Sequence, residues 1–325
     1  MSSFKSMTNA VDNFFFEPKP TEGIAVFRIV WISLLIFSYF CDIQNIEDFY
    51  GPDAIISLKT VKEHFPFPHM NIFHWLGNTL EMTQLIFMVY GLALFASLIG
   101  FYTRPSLIIV LICMTSLHQR NIWLLSSMEL LCRVITIFLA CSPCGHSLSV
   151  DSILGRKYSS FKQEKMWAPW ALRMIQIQIA VLYVWTVWQK LQGSDWFDGS
   201  AVYYATRLDN MKNFPVPFIL DSVLMLKLLT WGTLLVELAL GILIWFDEFR
   251  KPLIYIGIIF HLGIDYIMSI PFFELTMMAL LINYFTPEEY KTFVERLQQR
   301  CVKLLESSNM VAEVKEKIIW AVKPS

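Results

Sequence analysis

Long apolar runs separated by short polar connectors constrain this chain more tightly than any motif in it. Eight runs stand out, at residues 23–41, 83–101, 105–118, 122–141, 168–190, 223–246, 252–270 and 272–286. A bilayer core about 30 Å thick takes about 20 apolar residues per helical span. Inside hydrocarbon, a helix satisfies its own backbone amides and carbonyls without water. The runs therefore predict an all-α fold, a polytopic transmembrane helical bundle of about eight spans. The third and eighth runs are short, which predicts tilted, re-entrant or protein-buried segments. Only 16% of the residues are charged, against about 25% in soluble domains, and nearly all of that charge sits in the connectors.

Basic residues set the orientation. Sorting connectors onto alternate sides puts sixteen Lys and Arg with the N terminus and five opposite, the other five of the 26 lying in or beside the runs. Both termini are thus expected in the cytoplasm, with the chain multi-pass in the cell (inner) membrane. Residues 1–22 read as a cytoplasmic lead-in, 23–286 as the membrane domain and 287–325 as a cytoplasmic amphipathic tail. Thr286 and Glu289 have capping-box spacing, with Pro287 at the first helical position. The first run starts late and meets Asp42 instead of a small-residue cleavage site, so no cleavable signal peptide is expected. A net charge of −1 gives no reason to expect nucleic acid as a partner. The six cysteines lie mostly in runs or cytoplasmic connectors, where no disulfide framework is expected.

Polar residues inside apolar runs are costly and mark function or helix pairing. Lys190 closes the fifth run, and Thr186, Tyr183 and Gln176 share its helical face. Such a stripe would line a cavity, and a desolvated amine there suits general-base work. The competing reading is a lysine snorkelling to the outer interface. In the seventh run His261 and Asp265 are four residues apart, a spacing that would let the carboxylate orient the imidazole or relay a proton. A histidine bonded to a neighbouring helix is the plainer alternative. Glu274 and Glu237 add carboxyls, Glu129 and Arg133 have intrahelical pair spacing, and Arg28 offers a partner for Glu237.

Other patterns carry less. Cys141 and Cys144 have CxxC spacing without a thioredoxin-like context, and His146 follows them. His64, His69 and His74 recur every five residues, but Pro66 and Pro68 interrupt a helix there, so no metal site is expected. Zincin, P-loop, dinucleotide and nucleophile-elbow motifs do not occur.

The string Tyr183…Lys190-Leu191…Asp195-Trp196…Gly199 resembles the corresponding segment of vitamin K-dependent gamma-glutamyl carboxylases. It also resembles the wider HTTM family, named for the membrane half of those enzymes. Further matches are Phe260-His261 with Ser269-Ile270 and Phe273, and Arg120-Asn121 followed by Arg133 and by Pro143…Ser147…Ser149-Val150-Asp151. The segment Glu237 to Gly241 is another. Together they span about residues 20–286 in order.

The resemblance implies a reduced quinone cofactor, vitamin K or menaquinol, and a lyase-type, carboxylase-like activity. Lys190 would be the base, with His261 and Asp265 beside it and Tyr183, Thr186, Trp196 and Glu274 around the cofactor. The histidine at 146 falls on the cytoplasmic side and stays outside that site. Two departures stand out. Carboxylases carry a large lumenal substrate-docking domain, whereas residues 287–325 alone follow the eighth run here. One extra residue also separates the lysine from Asp195-Trp196. The acceptor is therefore expected to be a small molecule, a lipid or a peptide presented by a partner protein. Two non-carboxylase alternatives stay open: a membrane scaffold or maturation partner for a secreted peptide, and a transporter using Glu237, His261 and Glu129 as a polar path. The absence of an internal repeat speaks against transport.

Overall fold

The structure, a computed structural model, describes residues 2–64, 71–122, 126–155, 166–208, 214, 218–270 and 272–307. His69, Pro66 and Pro68 lie outside them. α1 (Ser2–Phe16) precedes the first long apolar helix, α2 (Glu22–Asp42), which passes through a 3-10 turn into α3 (Ile46–Tyr50). Short helices α4 (Leu58–His64) and α5 (Ile72–Leu76) follow. Next come α6 (Leu80–Ile99), α7 (Thr103–Arg120), α8 (Ser127–Cys141) and the brief α9 (Val150–Ile153). The second half holds α10 (Trp170–Lys190), α11 (Ser194–Asp198), α12 (Ala201–Ala205), α13 (Val223–Ile242), α14 (Asp247–Ile267) and α15 (Phe273–Leu281). The chain divides after Tyr284 into two units. The second contains α16 (Pro287–Ser307), where Thr286 and Glu289 close the expected capping box: each backbone N–H donates to the other's side chain, at 2.8 and 3.3 Å.

Among the described residues, four stretches are long and apolar enough to cross a membrane: Glu22–Tyr50, Leu80–Ile99, Trp170–Lys190 and Val223–Trp245. The other expected runs fall on α7 and α14, whose ends carry Arg104 and Arg120 or Asp247, Glu248, Arg250 and Lys251, and on the shorter α8 and α15. The all-α expectation agrees with the structure, apart from one two-residue antiparallel pairing of β1 (Lys19–Pro20) with β2 (Met166–Trp167), Lys19 opposite Trp167.

That pairing ties the segment leading into α2 to the segment leading into α10. Each of the two helices is 21 residues long, ending at Asp42 and Lys190. Local sequence fixes the neighbouring turns. Gly100 takes a left-handed φ of 71° just past α6, the conformation glycine reaches without a Cβ clash, and Phe101 N–H returns to the Ala96 carbonyl at 2.8 Å. Asp151 then caps α7 from a distance: its carboxylate accepts from the backbone N–H groups of Tyr102 and Thr103, at 3.0 and 2.8 Å, and from the Thr103 hydroxyl at 2.7 Å. Anionic oxygens at a helix N-terminus meet both orphan donors and the positive end of the dipole.

Arg28 is fully buried in α2 and donates to the carbonyls of Cys144 and Leu148. It is thus committed to the connector after α8 and does not meet Glu237, the partner expected from depth. Trp31 Nε1–H donates to the Thr136 hydroxyl at 3.1 Å, tying α2 to α8. Gly91 in α6 lies against the Tyr39 ring so closely that a Cβ would come within 2.7 Å of the phenol oxygen.

Candidate functional site

α13 packs antiparallel on α10. Gly241 abuts Val184, and a Cβ there would reach 2.9 Å from a valine methyl. Close approach of the two backbones is what small residues in packed membrane helices permit. One and two turns further along, Lys190 and Glu237 face each other, and the Lys190 ammonium donates to Glu237 Oε1. The carboxylate is nearly buried, with 9% of its side chain exposed, while 24% of the lysine side chain still reaches solvent. The other carboxylate oxygen, Glu237 Oε2, is buried with no hydrogen-bond partner among the described residues. Trp196 in α11 places its ring 5.1 Å from the Lys190 Nζ, within cation–π range.

The turn after Lys190 holds that tryptophan in place. Gly193 N–H donates to the Lys190 carbonyl at 3.0 Å, reversing the chain. Gly199 ends α11 with a φ of 82°, and a Cβ there would collide with Lys227 at 2.7 Å. The Trp196 carbonyl accepts from Trp231 Nε1 at 3.2 Å, which fastens the turn to α13.

Two turns inward, Tyr183, His261 and Glu274 form a buried line across α10, α14 and α15. The Tyr183 hydroxyl meets His261 Nε2 at 2.7 Å, and His261 Nδ1 meets Glu274 Oε2. All three are at most 3% exposed. Both ring nitrogens are therefore occupied, and the carboxylate that orients the imidazole is Glu274. Asp265, expected in that role from its spacing, is half-buried one turn away on α14 and has contacts of its own. Thr186 gives its hydroxyl to the Tyr183 carbonyl, one turn back in the same helix, at 2.9 Å. Gln176 extends the polar stripe inward, donating to the Asn283 carbonyl at 2.7 Å.

The structure thus brings Lys190 to Glu237 and Trp196, and Tyr183 to His261 and Glu274. Sequence reasoning missed the Lys190–Glu237 pairing. The signal was available: two opposite charges at similar depth in consecutive long helices need each other more than either needs a residue in the first helix.

Other expectations resolve simply. Glu129 caps α8, accepting from the Ser126 backbone and hydroxyl, in place of an intrahelical pair with Arg133. Cys141 and Cys144 are free thiols, the second buried and donating to the Leu139 carbonyl. His64 bonds the Thr60 carbonyl at 3.0 Å, and no metal-binding group of His, Cys, Asp and Glu occurs among the described residues. His146 packs on Trp167 with ring centroids 5.1 Å apart, and burial holds its pKa below the ordinary value of 6.5, with Arg104 acting in the same direction.

A family model described as the HTTM domain matches residues 16–288. Among curated proteins, the uncharacterized protein YitO of Bacillus subtilis (strain 168) is 29% identical over 134 residues, covering 38% of this chain and 43% of the relative. The alignment therefore spans less than half of that relative's length. No solved structure matches.

Proposed function

Because this chain belongs to the HTTM domain family, whose model covers most of it, we propose that it is a membrane-embedded, quinol-dependent carboxylase-like enzyme with Lys190 as its base. One observation carries the reading. Lys190 is held against a nearly buried carboxylate whose second oxygen, Glu237 Oε2, has no partner. A buried acceptor left unpaired costs about 1–3 kcal/mol, and a hydroxyl-bearing ligand next to Lys190 would relieve it. The residues present therefore fit a reduced quinone. Such a cofactor, when bound, would supply an acidic hydroxyl and two reducing equivalents.

Each residue then has a task. With the pair's shared proton moved onto Glu237 Oε1, Lys190 Nζ has a lone pair free to take the hydroxyl proton. Glu237 Oε2 accepts from the ligand and positions it. Trp196 covers the amine and limits water. The line Tyr183–His261–Glu274 can carry a proton: a proton arriving at Nε2 of the ring is balanced by transfer from Nδ1 to Glu274. The acceptor is a small molecule, a lipid or a peptide brought by a partner.

Mass spectrometry of lipids and quinones bound to the purified protein is the test. A co-purifying quinone, with quinol-dependent incorporation of labelled carbon dioxide that Lys190→Ala abolishes while folding is retained, supports the enzyme. A second reading rests on the same contact. Lys190 and Glu237 satisfy each other as a clamp between α10 and α13, as a scaffold or maturation partner would need. Under that reading no quinone co-purifies, and Lys190→Ala lowers only the melting temperature.

A further inference from the structure

A second polar cluster lies apart from the lysine. The end of α2, the last turn of α7, the first turn of α8 and the connection into α15 enclose a cavity of about 580 Å³. That is within the size range of small-molecule sites. Neither Lys190 nor Glu237 lines it, and neither do Tyr183, His261 or Glu274.

Its lining has two characters. Asp42, Glu129, His118 and Asn121 supply polar groups, while Leu35, Tyr90, Met114, Phe272 and Phe273 are among the apolar and aromatic walls. Asp42 makes no hydrogen bond or ion pair among the described residues. Buried within the molecule and also without partners are His118 Nδ1 and Asn121 Oδ1. Asn121 spends its amide N–H on the Phe49 carbonyl at 3.1 Å, which fixes the orphaned oxygen as an acceptor. Glu129 commits one oxygen to the α8 cap and is held there by it. Buried polar atoms are rarely left unmatched, and each unmatched one calls for an explanation. Phe272 adds another: it enters α15 with a φ of 61°, a left-handed conformation costing a bulky residue about 1–3 kcal/mol.

Asp42, Glu129 and Asn121 Oδ1 are acceptors, His118 Nδ1 accepts or donates with its tautomer, and two carboxylates in the lining disfavour an anion. They do not converge as metal ligands, since no cluster of three metal-binding side chains occurs among the described residues. A ligand spread over the cavity, with donors at one end and an apolar body, matches what remains. Tyr90, Phe272 and Phe273 add aromatic rings to the lining, and aromatic rings attract cations.

We propose that this cavity is a binding site for an amphipathic organic cation, a protonated amine on an apolar body, with Asp42 as its counter-ion. The ammonium donates to Asp42 and to Asn121 Oδ1, with Glu129 adding field, and the body lies between α2, α7 and the Phe272–Phe273 wall. This inference does not depend on the chemistry assigned to Lys190.

The test uses the full-length protein in nanodiscs and three probes sharing one body: 4-phenylbutylamine, 4-phenylbutanol and 4-phenylbutyrate. Calorimetric titration should rank the amine first, the alcohol weaker by at least about ten-fold and the acid weakest, since charge-assisted hydrogen bonds are roughly twice as strong as neutral ones. Asp42→Asn should erase the preference for the amine over the alcohol. Ser38→Phe, which fills the cavity from α2, should abolish binding of all three. Equal binding of the three probes by the unmodified protein, or no binding at all, would overturn the proposal without recourse to any variant. So would an amine preference that survives Asp42→Asn.

Discussion

Lys190 and Glu237 lie 47 residues apart in sequence, and each is the other's only ion-pair partner among the described residues. Their contact makes α10 and α13 a unit, and it leaves one carboxylate oxygen with nothing to accept from.

Removing one partner should cost more than removing both. Glu237→Gln or Lys190→Met leaves a charge without its counter-ion, and loss of one member of a buried pair costs about 3–5 kcal/mol. The quarter-exposed lysine lowers that to about 1–3 kcal/mol here. The double variant Lys190→Met, Glu237→Leu should regain most of the loss. Thermal unfolding of all three in the same detergent checks this, and additive losses would contradict it.

Tyr183→Phe keeps the ring and deletes one hydrogen bond to His261. Stability should fall by about 0.5–1.5 kcal/mol. Glu274→Leu leaves the imidazole without the carboxylate that orients it, and its loss should be the larger of the two. The order of the two melting temperatures is the measurement.

Asp151→Ala strips the N-terminus of α7 of its cap, three hydrogen bonds at once. A loss of about 2–3 kcal/mol is expected, since bonds to a charged acceptor are worth more than neutral ones. Hydrogen exchange should accelerate at the amides of Tyr102 and Thr103 specifically.

His146 gives a pH dependence with a definite sign. Its folded pKa lies below 6.5 because burial disfavours the imidazolium. The unfolded chain therefore binds the proton more readily. The stabilisation is complete above about pH 6.5 and is lost as pH falls from there through the folded value. His146→Gln should flatten that part of the melting-temperature profile between about pH 7.5 and pH 5, and an unchanged slope would refute the assignment.

Much of this architecture was legible in the residues. The long apolar runs mark α2, α6, α10 and α13, because a span of about 20 apolar residues has few alternatives. The stripe Tyr183, Thr186, Lys190 marked one end of the site through helical periodicity alone. What periodicity cannot give is rotation of one helix against another. Asp265 has the right spacing from His261, yet Glu274 faces the ring because the turn at Phe272 swings α15 across α14. Glu129 looked like half of an ion pair and is a cap, since α8 starts at Ser127 and its first turn holds the glutamate. The cavity beside Asp42 was invisible for the same reason: its polar groups come from helices that share no pattern.

Arg28 has a bearing on how the protein is made. Its acceptors, the carbonyls of Cys144 and Leu148, are synthesised more than a hundred residues after it. A cation in α2 thus waits for these acceptors until α8 and the connector after it are made, so α2 cannot settle into its lasting place as it leaves the ribosome. Nascent chains stalled before residue 144 are expected to leave that guanidinium open to water-borne reagents, and chains stalled well past residue 148 to hide it.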